Sequence, residues 1–144
     1  VVLMHMQGEP RTMQVDPQYG DVVAEVRAFL AERAQAVMAD GVARDKIWLD
    51  PGIGFGKRLE HNLALLAHLE EIAGLGFPVL LGVSRKRFVA ALDPAAGQAP
   101  DARLAGSLAA ALAGVQAGAG ALRVHDVAET VQALKVWDAI AAAR

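Results

Sequence analysis

The sequence predicts an α/β fold with a parallel sheet, and three observations support this fold class. Short apolar segments typical of strands begin near residues 1, 47, 79 and 121, and each is followed by a stretch with helical apolar spacing. The intervals between these segments leave room only for crossover helices, so the strands should be parallel. A polar motif follows each strand, which indicates one binding mouth at the carboxyl edge of the sheet.

Composition favours a single globular domain over the 144 residues of the chain. Hydrophobic residues make up 54% of the sequence, which argues against disorder, and a net charge of −2 gives no support for nucleic-acid binding. No apolar run approaches the roughly 18 to 20 residues that span a bilayer, and no signal peptide is recognisable, so we expect no membrane partner. The absence of cysteine excludes disulfides and fits a cytoplasmic location. Because the chain begins with valine, we expect it to be a fragment.

The first βα unit is predicted from a strand over residues 1–6 and a helix over 22–40. Asp21 is a favourable N-cap for that helix, and Gly41 is a favourable residue just after its end. The helix carries apolar residues at helical spacing, which predicts one buried face. These residues are Val22, Val23, Val26, Phe29, Leu30, Val37 and Met38.

The second unit has a strand that begins at residue 47 and ends at Asp50, followed by a helix over 62–74. The third strand, over 79–83, is a continuous apolar run, which is typical of a parallel sheet that is buried on both faces. The apolar residues that we expect on one face of the second helix are Leu63, Leu66, Leu69, Ile72 and Ala73.

The fourth unit follows a longer connection, which Pro94, Gly97 and Pro100 interrupt. An alanine-rich helix is predicted over residues 103–117, and the last strand is predicted over 121–124.

The last helix should start at Asp126, which forms with Glu129 the D-x-x-E pattern of a capping box. Helical spacing of apolar residues continues beyond this start and predicts that the helix extends through them. These residues are Val131, Leu134, Trp137 and Ile140.

Four βα units are compatible with a small open sheet or with half of a (β/α)8 barrel. We favour the barrel, because all four strands end in polar residues, whereas an open sheet uses two strands that flank one crevice. In a half-barrel the two outermost strands lack neighbours, so their edges and the inward side chains should be exposed.

The motif D-P-G-I-G-F-G-K at 50–57 follows the second strand. The carboxylate of Asp50 would face the mouth and accept hydrogen bonds from an amino group and a ring N–H, the edge that a pterin or a guanine presents. The alternative is a D-P-G turn in which Asp50 accepts a hydrogen bond within its own loop. The glycines suit a tight loop or close approach to a flat ligand, but their spacing matches neither a Walker A loop nor the dinucleotide fingerprint. Phe55 could stack on an aromatic ligand or simply pack.

Two further motifs bring positive charge to the same edge. S-R-K-R at 84–87 places three cations after the third strand, where they could bind phosphate or a heterocycle carbonyl; the alternative is a solvated basic turn. In R-V-H-D at 123–126, Arg123 and His125 alternate with Val124 and should share one face of the last strand. An arginine fork with a histidine donor suits a diphosphate at the usual phosphate site of these barrels. The alternative is an Arg–Asp ion pair beside a structural histidine.

The remaining histidines give weaker signals. His5, at a strand end, is more often a structural histidine than a ligand, and we interpret His61 and His68 as surface residues. No spacing of His, Asp or Glu resembles a metal site, and Ser84 alone does not make a Ser–His–Asp triad.

Together with M-H-M-Q-G at 4–8, these motifs occur in an order that resembles the dihydropteroate synthase family. The resemblance covers essentially the whole chain, but only the carboxyl half of that enzyme. It implies a TIM (β/α)8 barrel, of which this chain carries the last four βα units as a partial barrel. It also implies a transferase reaction of folate synthesis, in which 4-aminobenzoate displaces diphosphate from 6-hydroxymethyl-7,8-dihydropterin diphosphate to give 7,8-dihydropteroate.

The resemblance implies substrate contacts, position by position, but no certain catalytic residue. Arg87 stands where some members of the family have a serine. The implied contacts are Met4, Asp50, Phe55, Lys86 and Arg123 for the pterin, Arg123 and His125 for the diphosphate, and Phe55, Lys86 and Arg87 for 4-aminobenzoate.

The resemblance further implies Mg²⁺ as a cofactor, with its protein ligand in the half of the enzyme that this chain does not carry, so we expect no metal ligand here. The implied partners are small-molecule substrates and, for the parent protein, a second copy in a homodimer. Because the front half also completes the pterin pocket, we expect the isolated chain to be inactive. Two alternatives are a pterin-binding methyltransferase of the corrinoid type, which has no use for Arg123 and His125 as diphosphate ligands, and a non-catalytic half-barrel scaffold.

Overall fold

A computed structural model describes residues 1–96 and 99–143, so the predicted interruption at Gly97 lies outside the described residues. Four strands form one sheet in the order β1-β2-β3-β4, and every neighbouring pair is parallel, which confirms the parallel α/β prediction. Each strand is shorter than or offset from its predicted range. The strands are β1 (Val2–Met4), β2 (Trp48–Asp50), β3 (Val79–Leu81) and β4 (Ala119–Leu122).

Helices alternate with the strands along the described chain. Short 3₁₀ segments at Arg44–Lys46, Pro94–Ala96 and Pro100–Arg103 lie in the connections between them. The helices are α1 (Val22–Ala39), α2 (Leu59–Ala67), α3 (Leu69–Ala73), α4 (Arg87–Leu92), α5 (Leu104–Gln116) and α6 (Val127–Ala142).

Helix α1 begins and ends where the sequence predicts. The Asp21 carboxylate accepts hydrogen bonds from the N–H groups of Val23 and Ala24, both at 3.0 Å, and so satisfies two donors of the first turn. Gly41 has φ +94°, a left-handed conformation that a glycine adopts without a Cβ penalty. The helix buries Val26 and Leu30 completely.

The predicted helix over 62–74 is wrong in its start and its continuity, and its predicted buried face is right for Leu69 and Ile72, which are fully buried, but not for Leu63. It begins at Leu59, and it is divided into α2 and α3 at His68, whose φ of −122° and ψ of 31° are not helical. Leu65 is fully buried, whereas Leu63, which we expected to face inward, is 38% exposed. Apolar residues occupy most positions of this segment, so their periodicity alone could not decide which of them point to the sheet.

The predicted capping box of the last helix is also wrong. Asp126 is the N-cap of α6, but its side chain makes no capping hydrogen bond. The carboxylate instead binds the guanidinium of Arg85, 41 residues earlier in the chain. A charge-assisted contact from the β3–α4 connection has taken the place of the local one.

The core lies between the sheet and the helices. Leu49, Val79 and Leu81 point to the helix side of the sheet and are fully buried, together with residues of α1, α2 and α3. On the opposite face Val2 is 50% exposed and Met4 is 37% exposed. Among the described residues β1 pairs only with β2, and β4 pairs only with β3, so both outer edges are unpaired. The sheet is therefore closed on one face and open on the other.

We expect residues 1–144 alone to self-associate through the open face of the sheet. Burying apolar surface contributes about 25 cal/mol per Å², and unpaired strand edges offer backbone donors and acceptors to any partner. Light scattering over a range of concentrations measures the association. Val2→Lys should weaken it, whereas Val15→Lys, at a residue that is 81% exposed on a turn, should leave it unchanged. A stable monomer at high concentration would contradict this expectation.

Candidate functional site

The end of β2 places Asp50 at the carboxyl edge of the sheet, and strand register places Met4 beside it at the end of β1. The Asp50 side chain is buried, and its Oδ1 accepts a hydrogen bond from the N–H of Gly52 at 2.7 Å. The turn interpretation of Asp50 is therefore correct for one oxygen. A carboxylate has about four acceptor sites, so this bond leaves capacity for a ligand.

Three cations converge on the Asp50 carboxylate. Burial raises the pKa of Asp50, and the hydrogen bond from Gly52 and the charges of Lys86, Arg123 and Lys57 oppose that rise. Lys86 follows β3 and Arg123 follows β4, so the ends of three neighbouring strands meet at this carboxylate. Such convergence at the carboxyl edge is what the parallel topology predicts.

The glycine loop at residues 51–57 lies directly on the segment that follows β1. Gly52 has φ +70°, and a Cβ there would lie 1.8 Å from the carbonyl oxygen of His5. Gly56 has φ +60°, and a Cβ there would lie 2.4 Å from the carbonyl oxygen of Gln7. The sequence predicted a tight loop or close approach to a flat ligand, and at Gly52 and Gly56 the structure shows a tight loop in close contact with a second backbone segment.

Lys57 ends this loop with its side chain turned inward and buried. Its Nζ lies 3.0 Å from the carbonyl oxygen of Gly52, 3.0 Å from that of Phe55 and 2.9 Å from Nδ1 of His5. Burial lowers the pKa of Lys57 to about 7 and that of His5 to about 4. Sequence reasoning assigned no role to Lys57, because a lysine after a glycine gives no local sign of burial.

Two more polar side chains hold the glycine loop, and the sequence analysis missed both. Asn62 Oδ1 accepts a hydrogen bond from Gly54 N–H at 2.7 Å, and Tyr19 donates its hydroxyl to the Gly56 carbonyl at 2.7 Å. Asn62 is buried, so its amide pairs with the backbone instead of water. An asparagine directly before the apolar run at residues 63–67 was the available signal for this contact.

The cations of the S-R-K-R motif separate into different environments. Arg85 has φ +58° and turns away from the sheet, where its Nε and Nη2 bind the Asp126 carboxylate at 3.0 and 2.5 Å. This pairing raises the pKa of Arg85 and lowers that of Asp126. The ion pair that we considered between Arg123 and Asp126 is therefore wrong, because Arg85 occupies that carboxylate. Arg87 is exposed at the start of α4.

Lys86 is the member of that motif that enters the site. Its Nζ donates a hydrogen bond to the carbonyl of Ile53 and lies 4.4 Å from the centroid of the Phe55 ring, a cation–π contact. Burial lowers the pKa of Lys86 to about 8, while the charge of Asp50 opposes the shift and that of Arg123 adds to it. Lys86 thus links the third strand to the glycine loop.

Arg123 and His125 lie just beyond β4 instead of within it, since the strand ends at Leu122. The Arg123 guanidinium packs over Gly82, with Nε and Nη2 each 3.5 Å from where a Cβ would be. Ser84 Oγ accepts the backbone N–H of His125 at 3.1 Å and lies 3.0 Å from its Nδ1. The Ser84 hydroxyl can then donate to Nδ1, which leaves the Nε2–H of His125 as a donor.

Two cavities include most of the predicted contact residues but not Met4 or Asp50, and both include Lys86. A small cavity of about 210 Å³ brings Lys86 together with Arg123 and His125. A larger cavity of about 630 Å³ brings Lys86 together with Phe55 and Arg87. The small cavity is lined by Gly82, Ser84, Lys86, Arg123, Val124 and His125.

The other histidines were predicted to lie at the surface, and this holds fully only for His68. His68 is exposed, whereas His61 is half-buried, accepts the Arg58 N–H at Nδ1 at 3.1 Å and packs edge-on against Tyr19 with centroids 4.8 Å apart. In the described part of the chain no three His, Asp or Glu side chains are grouped to hold a metal ion. Within the same residues no helix has the length and apolar character to cross a membrane.

The buried, neutral state of His5 predicts an acid-sensitive fold. The pKa of His5 is about 4 in the native state against an ordinary value of 6.5, so between these values the unfolded chain binds more protons than the folded chain. The folded state therefore loses stability as pH falls through this range. Denaturant unfolding should therefore show a free energy that decreases from pH 6.5 to 4, by less than the ~1.4 kcal/mol per pH unit of one full proton. His5→Asn should reduce this slope and His68→Asn should not. Equal slopes in the two variants would exclude His5 as the cause.

Comparison with known proteins gives a consistent assignment. A family model described as pterin binding enzyme matches residues 1–125. The dihydropteroate synthase of Neisseria meningitidis serogroup B is 52% identical over 143 residues, a match that covers 97% of this chain and 50% of that protein. The chain spans about half the length of the curated relatives it matches.

Solved structures agree over the same half. Dihydropteroate synthase from Stenotrophomonas maltophilia, with active site-bound imidazole, superposes with a TM-score of 0.95 at 51% identity, covering 99% of this chain and 53% of that chain. The enzyme from Xanthomonas albilineans, in complex with 7,8-dihydropteroate, gives 0.88 at 49% identity, covering 98% of this chain and 50% of that chain. These matches confirm both the partial-barrel fold and the resemblance to the carboxyl half. With a family match over most of its length, the chain belongs to the pterin binding enzyme family.

Proposed function

We propose that this chain supplies the carboxyl half of a dihydropteroate synthase, as one pterin-binding domain over residues 1–144. The reaction would join 4-aminobenzoate to 6-hydroxymethyl-7,8-dihydropterin diphosphate and release diphosphate. The observation that carries the proposal is the buried Asp50 carboxylate, which three cations face beside two cavities that share Lys86. Together these features supply an acceptor for a heterocycle edge, a pocket for an anion and a cleft for a second substrate.

For the pterin, Asp50 would accept hydrogen bonds from the amino group and ring N–H through the acceptor sites that Gly52 leaves open. Lys86 would donate to the ring carbonyl, and Met4 and Phe55 would line the slot. Arg123 would lie against the ring. Support comes from the register that sets Met4 beside Asp50 and from the 4.4 Å contact of Lys86 with the Phe55 ring.

For the diphosphate, Arg123 and the Nε2–H of His125 would donate hydrogen bonds in the small cavity. The amine nitrogen of 4-aminobenzoate forms a C–N bond to the pterin methylene as the C–O bond breaks. The diphosphate leaves with the bonding electron pair, and the amine gives up a proton. Cations at the leaving group and the Asp50 carboxylate at the ring, which becomes electron-poor, both stabilise the charges that develop in the transition state. No covalent intermediate with the protein is required.

For 4-aminobenzoate, the larger cavity offers an aromatic wall at Phe55 and positive charge at Lys86 and Arg87. A carboxylate bound near the exposed Arg87 would direct the amine inward. Positioning of the amine supplies most of the rate, because an aromatic amine needs no deprotonation to act as a nucleophile. The Xanthomonas albilineans complex with 7,8-dihydropteroate supports one continuous site for both parts of the product.

Mg²⁺ is proposed for the parent enzyme only. The described residues do not fit a metal site of their own, since no three acidic or imidazole groups are clustered. The one buried carboxylate at the mouth, Asp50, is surrounded by cations. A divalent ion would instead accompany the diphosphate and a ligand outside this chain.

A homodimer of the parent enzyme is also proposed. A groove of about 570 Å³ between α5 and α6 is lined mainly by apolar side chains, including Val136, Trp137 and Ile140. Ile140 is 55% exposed and Val136 is 57% exposed, so burial against a second copy would stabilise the assembly. A cytoplasmic location stays a prediction.

The two alternatives make different predictions for the small cavity and for the chain alone. A corrinoid-type methyltransferase transfers a methyl group and releases no diphosphate, so it gives no role to Arg123 and His125 in an anion pocket. A scaffold would keep the fold without turnover even when the barrel is complete. The lining of the small cavity favours the synthase over the methyltransferase.

A hybrid enzyme tests the proposed function directly. Residues 1–144 would replace the matching segment of the Neisseria meningitidis relative, which is 52% identical over 143 residues. We expect the hybrid to form dihydropteroate and the isolated 144-residue chain to form none, because the chain provides only one side of the mouth. A folded but inactive hybrid, with the unmodified relative active in parallel, would support the scaffold.

Asp50→Asn in the same hybrid should weaken pterin binding about ten- to a hundred-fold, since loss of a charge-assisted acceptor is worth roughly 1.5–3 kcal/mol. The asparagine oxygen can still accept the Gly52 N–H, so the loop should keep its shape. Calorimetry with a pterin ligand measures the affinity, and the exposed Asp45→Asn is the matched control. Unchanged affinity in Asp50→Asn would remove this carboxylate from the site.

A further inference from the structure

Lys57 occupies an environment that suits a cationic hydrogen-bond donor. Three acceptors, the carbonyl oxygens of Gly52 and Phe55 and Nδ1 of His5, lie 2.9–3.0 Å from its Nζ. An ammonium has three hydrogens, so each can be donated to one acceptor. The side chain is only 4% exposed, which excludes water as the main partner.

The three acceptors belong to two different segments. Gly52 and Phe55 lie at opposite ends of the turn within the glycine loop, and His5 follows β1. His5 is itself held by Phe29, whose ring packs edge-on at 5.0 Å, and by Tyr19 at 6.0 Å. Lys57 therefore ties both ends of the turn to a histidine that is fixed by packing.

The hydrogen bonds of the Lys57 ammonium, which we call the Lys57 tie, hold two residues of the candidate site. They are Phe55, which lines the larger cavity, and Gly52, which is bonded to Asp50. The carbonyl of Phe55 is bound by Lys57, while the ring of Phe55 lies under Lys86 and borders the larger cavity. Gly52 connects the same tie to Asp50, because its N–H donates to the Asp50 carboxylate while its carbonyl accepts from Lys57. A change at Lys57 would therefore reach both the aromatic wall and the buried acceptor.

We propose that Lys57 is a positioning residue, whose ammonium fixes the glycine loop against His5 and so sets the Phe55 ring and the Asp50 carboxylate for substrate binding. The consequence for substrates rests on the proposed function, whereas the tie itself does not. Lys57 also lines the larger cavity, but its ammonium is directed to the three acceptors, so its role is to hold the loop.

The charged and titratable groups around Lys57 make its protonation state consequential. His5 faces it from the end of β1, Asp50 from β2, and Lys86 from the β3–α4 connection. A neutral amine has only two hydrogens for three acceptors, so loss of the proton would force His5 to change tautomer or release one carbonyl. The tie should accordingly be complete below pH 7 and weaker above it.

The first test uses the hybrid enzyme with three variants. Lys57→Met removes the donors and the charge, Lys57→Arg keeps both in a larger group, and Lys46→Met changes an exposed lysine as the matched control. At pH 6.5 we expect Lys57→Met to raise KM for 4-aminobenzoate about tenfold with kcat within about threefold, in line with losing bonds to a charged donor. Lys57→Arg should recover most of that loss, and Lys46→Met should match the parent hybrid. Unchanged KM in a folded Lys57→Met would overturn the proposal.

The second test needs no activity, so it separates this proposal from the proposed function. The 144-residue chain contains four lysines, and ¹³C labels at their ε-carbons report each protonation by NMR. We expect one signal to titrate near pH 7, to be absent in Lys57→Arg and to change its pKa in His5→Asn, which replaces one of the three acceptors. If the one signal that Lys57→Arg removes titrates above pH 10, the tie does not exist and the proposal fails, whatever the hybrid does. If the signal behaves as expected while the parent hybrid is inactive, the tie stands and the proposed function fails.

Discussion

The burial of the Asp50 carboxylate is the constraint on which the mouth of the sheet depends. A carboxylate out of water needs hydrogen bonds and positive charge, and here the compensation comes from Gly52, Lys57, Lys86 and Arg123. These groups belong to connections after β2, β3 and β4, so satisfying one charge brings the three connections together. The same compensation leaves a polar, cationic surface facing the cavities. This surface suits a flat ligand that donates hydrogen bonds and, beside it, an anion.

The basic residues at positions 85–87 are adjacent in the sequence but make different contacts because of the backbone geometry at Arg85. Arg85 sits at φ +58° and turns to Asp126, which fixes the β3–α4 connection to the start of α6. Lys86, one residue later, points the opposite way and reaches the glycine loop. Arg87 begins α4 and is exposed. One left-handed residue thus divides a basic cluster into a structural ion pair, a half-buried site cation and a surface charge.

Local signals in the sequence were sufficient for part of this fold and insufficient for the rest. The parallel order and the Asp21 cap followed from periodicity and from a side chain acting on its own helix, and both are confirmed. The Asp126 cap failed because a partner 41 residues away competes for the same carboxylate. Short helix α4 and the burial of Lys57 were missed for the same reason: each depends on tertiary contacts that no local pattern encodes.

Contacts between consecutive connections maintain the geometry of the mouth without closure of the sheet. Lys57 joins the second connection to His5 after β1, Lys86 joins the third to the second, and Ser84 joins the fourth to the third through His125. Each link spans one neighbouring pair of strands, as in a repeat structure where a unit is held by the next. The open inner face and unpaired edges therefore weaken the sheet as a whole while this half of the mouth keeps its shape. Because further strands would pair with the two outer edges without displacing these links, an ordered set of connections and two unpaired sheet edges are compatible properties of the same described residues.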